Sequence, residues 1–217
     1  MPRRRSYDQY CAAARALDAV GDRWTLLIVR ELLAGPRRYT DLHADLPGVS
    51  TDVLASRLRD MERDELATRR KLPPPAAAFV YELTERGRGL LPVLTALAAW
   101  GAPALDERRP TDAVRAHWFA LPLLPVLDGL VKASEKGELE ECVVEVRLDE
   151  GVFHVRLGPD EPVYGDGPAD APDTRLVLDA DTCRAVSGGA LAVGDGVREG
   201  RIEVSGEGAL ARALRGE

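Results

Sequence analysis

The sequence predicts an α+β protein built as two successive domains, residues 1–109 and 110–217, and three observations carry that expectation. Apolar residues in the first half recur at three- and four-residue spacing, as amphipathic helices require. The second half holds runs of alternating apolar and polar residues bounded by Gly, Pro and Asp, as half-buried strands require. Charge changes at the same place. Residues 1–110 carry 18 Lys and Arg against 15 Asp and Glu, and residues 111–217 carry 11 against 21, so a balance of +3 is followed by one of −10 within a net charge of −7. Only the first domain suits a polyanion.

The remaining composition excludes several classes. With 45% hydrophobic and 30% charged residues, the 217-residue chain has the make-up of a soluble globular protein. Its three cysteines, Cys11, Cys142 and Cys183, are too scattered for a disulfide framework or a CxxC metal site, which fits a reducing, cytoplasmic setting. The basic start is interrupted by Asp8, Arg15 and Asp18, so it lacks the apolar core of a signal peptide, and no run is long enough to span a membrane. There is no Asn, hence no glycosylation sequon, and Gln9 is the single Gln, so the side chains that usually pair with adenine are scarce. His43, His117 and His154 form no HExxH motif, and the chain has no phosphate loop, dinucleotide fingerprint or nucleophile elbow. Asp179 and Asp181 read as a helix cap and surface charge. The expectation is a protein that is not an enzyme and needs no cofactor or metal.

In order, Arg3–Arg5 is either a DNA-seeking arm or a solvated tail. Tyr10–Val20 has helical spacing and stops at Gly21. Asp22 can cap a helix over Arg23–Leu33, where Trp24, Leu27, Ile28, Leu32 and Leu33 leave little polar circumference, so this helix belongs at the domain's centre. It ends at Ala34-Gly35-Pro36. Arg37 and Arg38 follow, either as phosphate holders or as exposed loop residues. Thr40–Leu46 reads as a short helix, Pro47-Gly48-Val49 as a tight turn, and Ser50 as the cap of a helix running to Asp64. Leu54, Leu58 and Met61 fall on one stripe of that helix, leaving Thr51, Ser56, Arg57 and Arg59 to face elsewhere. Two short helices joined by a glycine-containing turn match a helix-turn-helix, whose second helix enters a DNA groove. Leu66–Leu72 and Phe79–Leu83 are strand candidates around a Pro- and Ala-rich loop, and together describe a wing. Thr84 can cap a last helix whose Leu90, Leu91, Leu94, Leu97, Ala98 and Trp100 make a broad apolar face, with Pro92 confined to its first turns or to a kink. That face suits either a second copy of the chain or the first helix.

These residues resemble the HxlR-type winged helix-turn-helix transcriptional regulators over about residues 8–101. The resemblance rests on Cys11 through Gly21, Trp24-Thr25-Leu26-Leu27-Ile28, Arg30-Glu31-Leu32-Leu33, Gly35-Pro36-Arg37-Arg38-Tyr39, Leu54, Arg57-Leu58, Tyr81, Leu83-Thr84, Gly87 and Leu90 through Trp100. It implies a homodimer formed through the first and last helices of the domain and bound to an inverted repeat in double-stranded DNA. It also implies a DNA-facing set of Arg38, Ser50, Thr51, Ser56 and Arg57, with Arg69, Arg70 and Lys71 at the wing. Arg57 suits bidentate reading of guanine, and Arg59 suits a phosphate or a surface ion pair.

The chain departs from the family pattern at three places. Asp52 stands where a basic residue is common, Ala76-Ala77-Ala78 occupies the wing where relatives often place an arginine, and Glu65 replaces the usual glycine after the recognition helix. A residue with a side chain at position 65 must accept positive φ or shorten the turn. Some members sense oxidants through a cysteine at the position of Cys11. Here Ala12 follows it instead of the usual proline, so Cys11 is either a redox site or structural.

The second domain follows a Pro-rich, charged boundary at Ala102–Pro110. Thr111–Gly129 reads as helical despite Pro122 and Pro125. Cys142–Leu148 and Gly151–Leu157 form a hairpin candidate, and Arg175–Leu178 and Arg201–Val204 are further strands. Asp179 caps a helix over Ala180–Val186, Gly194, Gly196 and Gly200 read as turns, and a short helix closes the chain at Glu207–Leu214. This element order resembles the sterol-carrier-protein type-2-like fold over about residues 115–215. It implies an apolar cavity for a lipid-like ligand, and so a module that either binds a small apolar effector or supports the dimer; Trp118, Phe119, Phe153 and Tyr164 are either the lining of that cavity or core. The resulting expectation is a DNA-binding regulator modulated through its second domain. The alternative is a lipid- or small-molecule-binding protein whose winged helix mediates protein contacts, and a redox switch at Cys11 is a third reading.

Overall fold

A computed structural model describes residues 6–76, 78–105, 108–133 and 141–217. Arg3–Arg5 and Ala77 of the wing loop lie outside them. The chain divides into two compact units, Met1–Leu94 and Thr95–Glu217. The division comes earlier than the change in composition after Pro110, because it falls within a continuous helix, Leu91–Gly101, that buries only Leu91 and Leu94.

The first unit contains α1 (Ala12–Val20), α2 (Thr25–Leu33), α3 (Tyr39–Asp45), α4 (Thr51–Arg63), β1 (Ala67–Lys71), β2 (Phe79–Leu83) and α5 (Glu85–Arg88), and α6 (Leu91–Gly101) begins in it. Helix α2 is the buried centre its pattern predicts: Ile28, Val29 and Leu32 are enclosed, and the core is completed by Leu42, Leu46, Leu54, Leu58 and Met61. Each such side chain contributes about 1.5–3 kcal/mol by leaving water. Strands β1 and β2 pair antiparallel with Arg69 opposite Tyr81, and the Arg37 backbone adds a bridge to Tyr81.

Two local expectations are corrected, and at Glu65 one of two expected alternatives is realised. Helix α2 begins at Thr25 with no side-chain cap, and the Asp22 carboxylate expected there is paired with Arg57 instead. The helix expected from Thr84 is two: α5 is capped by the Thr84 hydroxyl, the chain breaks at Gly89-Leu90, and Pro92 occupies the second position of α6, where no helical N–H is lost. Glu65 keeps its turn by adopting φ +58°. The backbone then passes so close to α5 that a Cβ on Gly87 would lie 2.0 Å from the Leu66 carbonyl oxygen, so position 87 excludes a side chain.

The second unit holds the rest of α6, a 3-10 turn at Ala116–Phe119, α7 (Ala120–Ala133), β3 (Cys142–Leu148), β4 (Gly151–Leu157), β5 (Val163–Asp166), β6 (Thr174–Val177), α8 (Ala180–Ser187), α9 (Val193–Arg198), β7 (Glu203–Ser205) and α10 (Ala209–Arg215). The sheet order is β5-β4-β3-β6-β7, antiparallel except where β3 lies parallel to β6. The hairpin bounds agree with the alternation in sequence. Residues 111–115 are not helical, and α7 instead runs past Gly129 with Pro125 on its exposed side. Strand β5 and helix α9 carry no strand or helix signal in the sequence. Val163-Tyr164-Gly165-Asp166 is turn-like in composition, and the glycines read as turns are helical at Gly194 and Gly196. A Cβ at Gly196 would come within 2.6 Å of the Ile202 side chain, which explains a glycine inside that helix.

One face of the sheet is dry: Val144, Val146, Phe153, Val155, Tyr164 and Leu176 point to the side on which α7 packs. Glu145 points to the other face yet is also enclosed, held by Arg147 at 2.8 Å, Arg175 at 3.3 Å and the Ala169 N–H at 3.1 Å. Those partners keep its carboxyl below its ordinary range against the upward push of burial.

Candidate nucleic-acid interface

The helix-turn-helix is assembled by short polar ties around a dry seam. The Ser50 hydroxyl accepts the Val53 N–H at 3.3 Å and starts α4, while the Tyr39 hydroxyl donates to the Thr51 carbonyl at 2.8 Å and joins α3 to it. Leu54, Leu58 and Met61 point inward as their spacing predicts. Ser56 and Arg59 lie roughly 170° and 130° around the helix from that stripe, so they project from its outer side. Arg59 is exposed and its Nε donates to the Ala55 carbonyl at 3.2 Å, while Thr51 is exposed at the helix start.

Arg57 departs from the expected outward face. It sits only about 70° from the apolar stripe. Its side chain is 23% exposed, with Nη1 paired to the Asp22 carboxylate and Nη2 2.9 Å from Asp60. Asp60 in turn binds Arg63 at 2.7 Å. Spacing along α4 made the Asp60 pairing legible at i,i+3. The partner from the α1–α2 turn had no local signal.

The basic residues of the wing separate by face. Arg70 donates from Nε and Nη2 to the two carboxylate oxygens of Glu82, each at 3.0 Å, and this fork holds the Glu82 carboxyl below its ordinary range and raises the guanidinium. Arg69 lies on the opposite face with its guanidinium carbon 4.0 Å from the Phe79 ring centre. Lys71 is exposed on that same face. Arg38 is exposed before α3, and its backbone N–H donates to Asp41 at 3.2 Å.

A family model for the HxlR-like helix-turn-helix matches residues 19–109. The chain is 34% identical over 92 residues to YvaP of Bacillus subtilis (strain 168), an uncharacterized HTH-type transcriptional regulator, across 42% of this chain and 85% of YvaP. It is 35% identical over 85 residues to the HTH-type transcriptional regulator YodB of the same organism, across 39% of this chain and 76% of YodB. The chain belongs to the HxlR-like helix-turn-helix family. The reduced form of YodB is also similar in structure, at 30% identity and a TM-score of 0.40, covering 46% of this chain and 100% of YodB. The family match ends at residue 109, so the HxlR-like part accounts for the first half of the chain.

Cys11 precedes the first helix of the HxlR-like domain, exposed and with extended backbone. Cys142 and Cys183 are buried, and burial pushes their thiols up to about 11 and about 12, so both stay protonated at neutral pH.

The aromatic residues expected to line a cavity in the second unit lie on two strands and on the 3-10 turn before α7. Phe153 is fully enclosed opposite Val146, and Tyr164 is buried opposite Val155, so both serve as sheet core. Trp118 and Phe119 are half-buried on the 3-10 turn, with the Trp118 ring edge-on to His117 at 6.2 Å. Two open clefts are lined by charged side chains. One of about 390 Å³ lies among Arg15, Arg63, Asp64, Glu65 and Arg86, and one of about 290 Å³ among Arg147, Asp149, Asp179, Arg201 and Glu203. Among the described residues, no three His, Cys, Asp or Glu side chains are grouped to hold a metal, and no helix is long and apolar enough to cross a membrane.

Proposed function

We propose that the chain is a sequence-specific DNA-binding transcriptional regulator that binds an inverted repeat as a homodimer. The observation that carries this reading is the outer side of α4, where Arg59 is exposed and Ser56 half-buried on a helix whose opposite stripe is locked into the core. Ser56 and Thr51 offer hydroxyls to base edges or phosphates, and Arg59 offers a guanidinium to phosphate. Arg38, Arg69 and Lys71 flank the helix as phosphate contacts, and Ser50, already capping α4, retains its hydroxyl proton for a phosphate. Two copies would place their recognition helices about 34 Å apart, one turn of duplex.

Dimerisation is supported by apolar side chains exposed on α1 and on α6: Leu17 is 50% exposed, Leu97 46% and Trp100 82%. Modulation by a small apolar effector, implied only by the resemblance of the element order over residues 115–215 to sterol-carrier proteins, requires the core around Phe153 and Tyr164 to open, since those residues are enclosed.

Fluorescence anisotropy with a duplex selected by the protein from a random-sequence pool tests the proposal. Salt-dependent, selective binding that weakens by about 1–3 kcal/mol in Ser56→Ala or Arg59→Ala supports it. Failure to enrich any duplex, with no response to either substitution, overturns it.

A further inference from the structure

We infer that Arg57 is a positioning residue that braces the recognition helix against the α1–α2 turn, and that it contacts neither base nor phosphate. This rests on the DNA-binding reading above. The guanidinium presents a rigid fork of donors, and both of its terminal nitrogens are engaged: Nη1 by Asp22, across the domain, and Nη2 by Asp60, one turn further along α4. The series continues through Arg63 to Asp64, so charges of alternating sign run from the turn along the flank of α4.

Reaching a guanine from this position would strip Arg57 from two carboxylates, leaving Asp60 with Arg63 alone and Asp22 without the guanidinium that binds it, near a phosphate backbone. Asp22 is 60% exposed and Arg57 is 23% exposed, so the arginine is the enclosed partner and the aspartate is its tether to the turn. The tether fixes the rotation of α4 about its own axis, and that rotation decides whether Ser56 and Arg59 meet the groove. Asp22 thereby becomes a determinant of DNA recognition without contacting DNA.

The test compares native protein with Asp22→Asn, Arg57→Ala and the double variant. Each is titrated with the pool-selected duplex and with a random-sequence duplex of equal length, over a series of salt concentrations. The expected result is that each single variant lowers the ratio of selected to random affinity by roughly fivefold or more, with the double variant no worse than the worse single one, as coupled residues require. The slope against salt stays unchanged, because no phosphate contact is lost. The inference is overturned if Asp22→Asn binds as tightly as native or tighter while Arg57→Ala loses affinity. A fall in salt slope of about one in Arg57→Ala would then assign Arg57 to a phosphate, and an unchanged slope to a base. Should Arg57→Ala prove unfolded by circular dichroism, Asp22→Asn alone decides between these outcomes. If native protein selects no duplex, the DNA-binding reading itself falls. Hydrogen exchange then tests the brace directly: equal, non-additive acceleration within α4 in the variants sustains it, and unchanged exchange refutes it.

Discussion

The Thr84 hydroxyl donates to the Glu65 carbonyl oxygen at 2.5 Å and at the same time accepts the Gly87 N–H at 3.1 Å. One side chain therefore joins the turn after the recognition helix to the start of α5, and the Thr84 N–H adds a bond to the Leu66 carbonyl at 3.1 Å. These bonds close the base of the wing. Thr84→Val keeps the shape but deletes both hydroxyl bonds, and is expected to lower unfolding free energy by about 1–3 kcal/mol. Thr84→Ser retains the hydroxyl and should lose much less. Urea titration of the two variants measures the difference.

Glu65 holds φ +58°, a conformation that disfavours residues with a Cβ by about 1–2 kcal/mol. Glu65→Gly relieves that strain, although glycine also adds freedom to the unfolded chain. The net expectation is a rise of up to about 1 kcal/mol. A shift of the denaturant midpoint to lower concentration would show that the glutamate makes a compensating interaction in the folded protein.

Arg70 is withheld from solvent anions by its fork to Glu82. Glu82→Gln removes the competing charge and frees the guanidinium at the wing. Affinity for a random-sequence duplex should rise, with the salt slope steeper by up to about one ion, as one added phosphate contact requires. An Arg70→Ala variant, by contrast, should leave the slope as it is. Anisotropy at a series of salt concentrations reads both.

Asp179 caps α8, its carboxylate accepting the Thr182 N–H at 2.6 Å, and that bond holds its carboxyl below the ordinary aspartate value. A lowered folded pKa means the charged form is favoured on folding. The contribution is complete above the ordinary value of 3.8 and is lost as pH falls through it and then through the lower folded value. Asp179→Asn keeps a capping oxygen and should flatten this acid limb of the stability profile, whereas Asp179→Ala should cost about 1 kcal/mol at neutral pH. Thermal unfolding across pH 2–7 in roughly half-unit steps distinguishes them.

Signals confined to a few neighbouring residues were legible in the sequence. The apolar stripe of α4, the Ser50 and Asp179 caps and the β3–β4 hairpin each depend on residues no more than one turn or one strand apart. What sequence did not reveal depends on distant partners. Asp22 has the chemistry of a cap, but Arg57, far along the chain, takes its carboxylate. Gly194 and Gly196 have the composition of a turn, yet Ile202 leaves no room for a side chain at position 196 and so favours glycine within a helix. Phe153 and Tyr164 were recognisable as buried aromatics, but whether they line a cavity or fill it depends on α7 and on strands paired from elsewhere in the chain.

The positions of the cysteines carry a practical consequence. Two thiols are sealed in the second unit and kept protonated, whereas Cys11 is open to solvent at the head of α1. A maleimide dye added briefly to native protein at neutral pH should attach at one defined site without any cysteine having to be engineered in or out. A mixture of donor-labelled and acceptor-labelled chains would then report, by energy transfer, whether two copies associate.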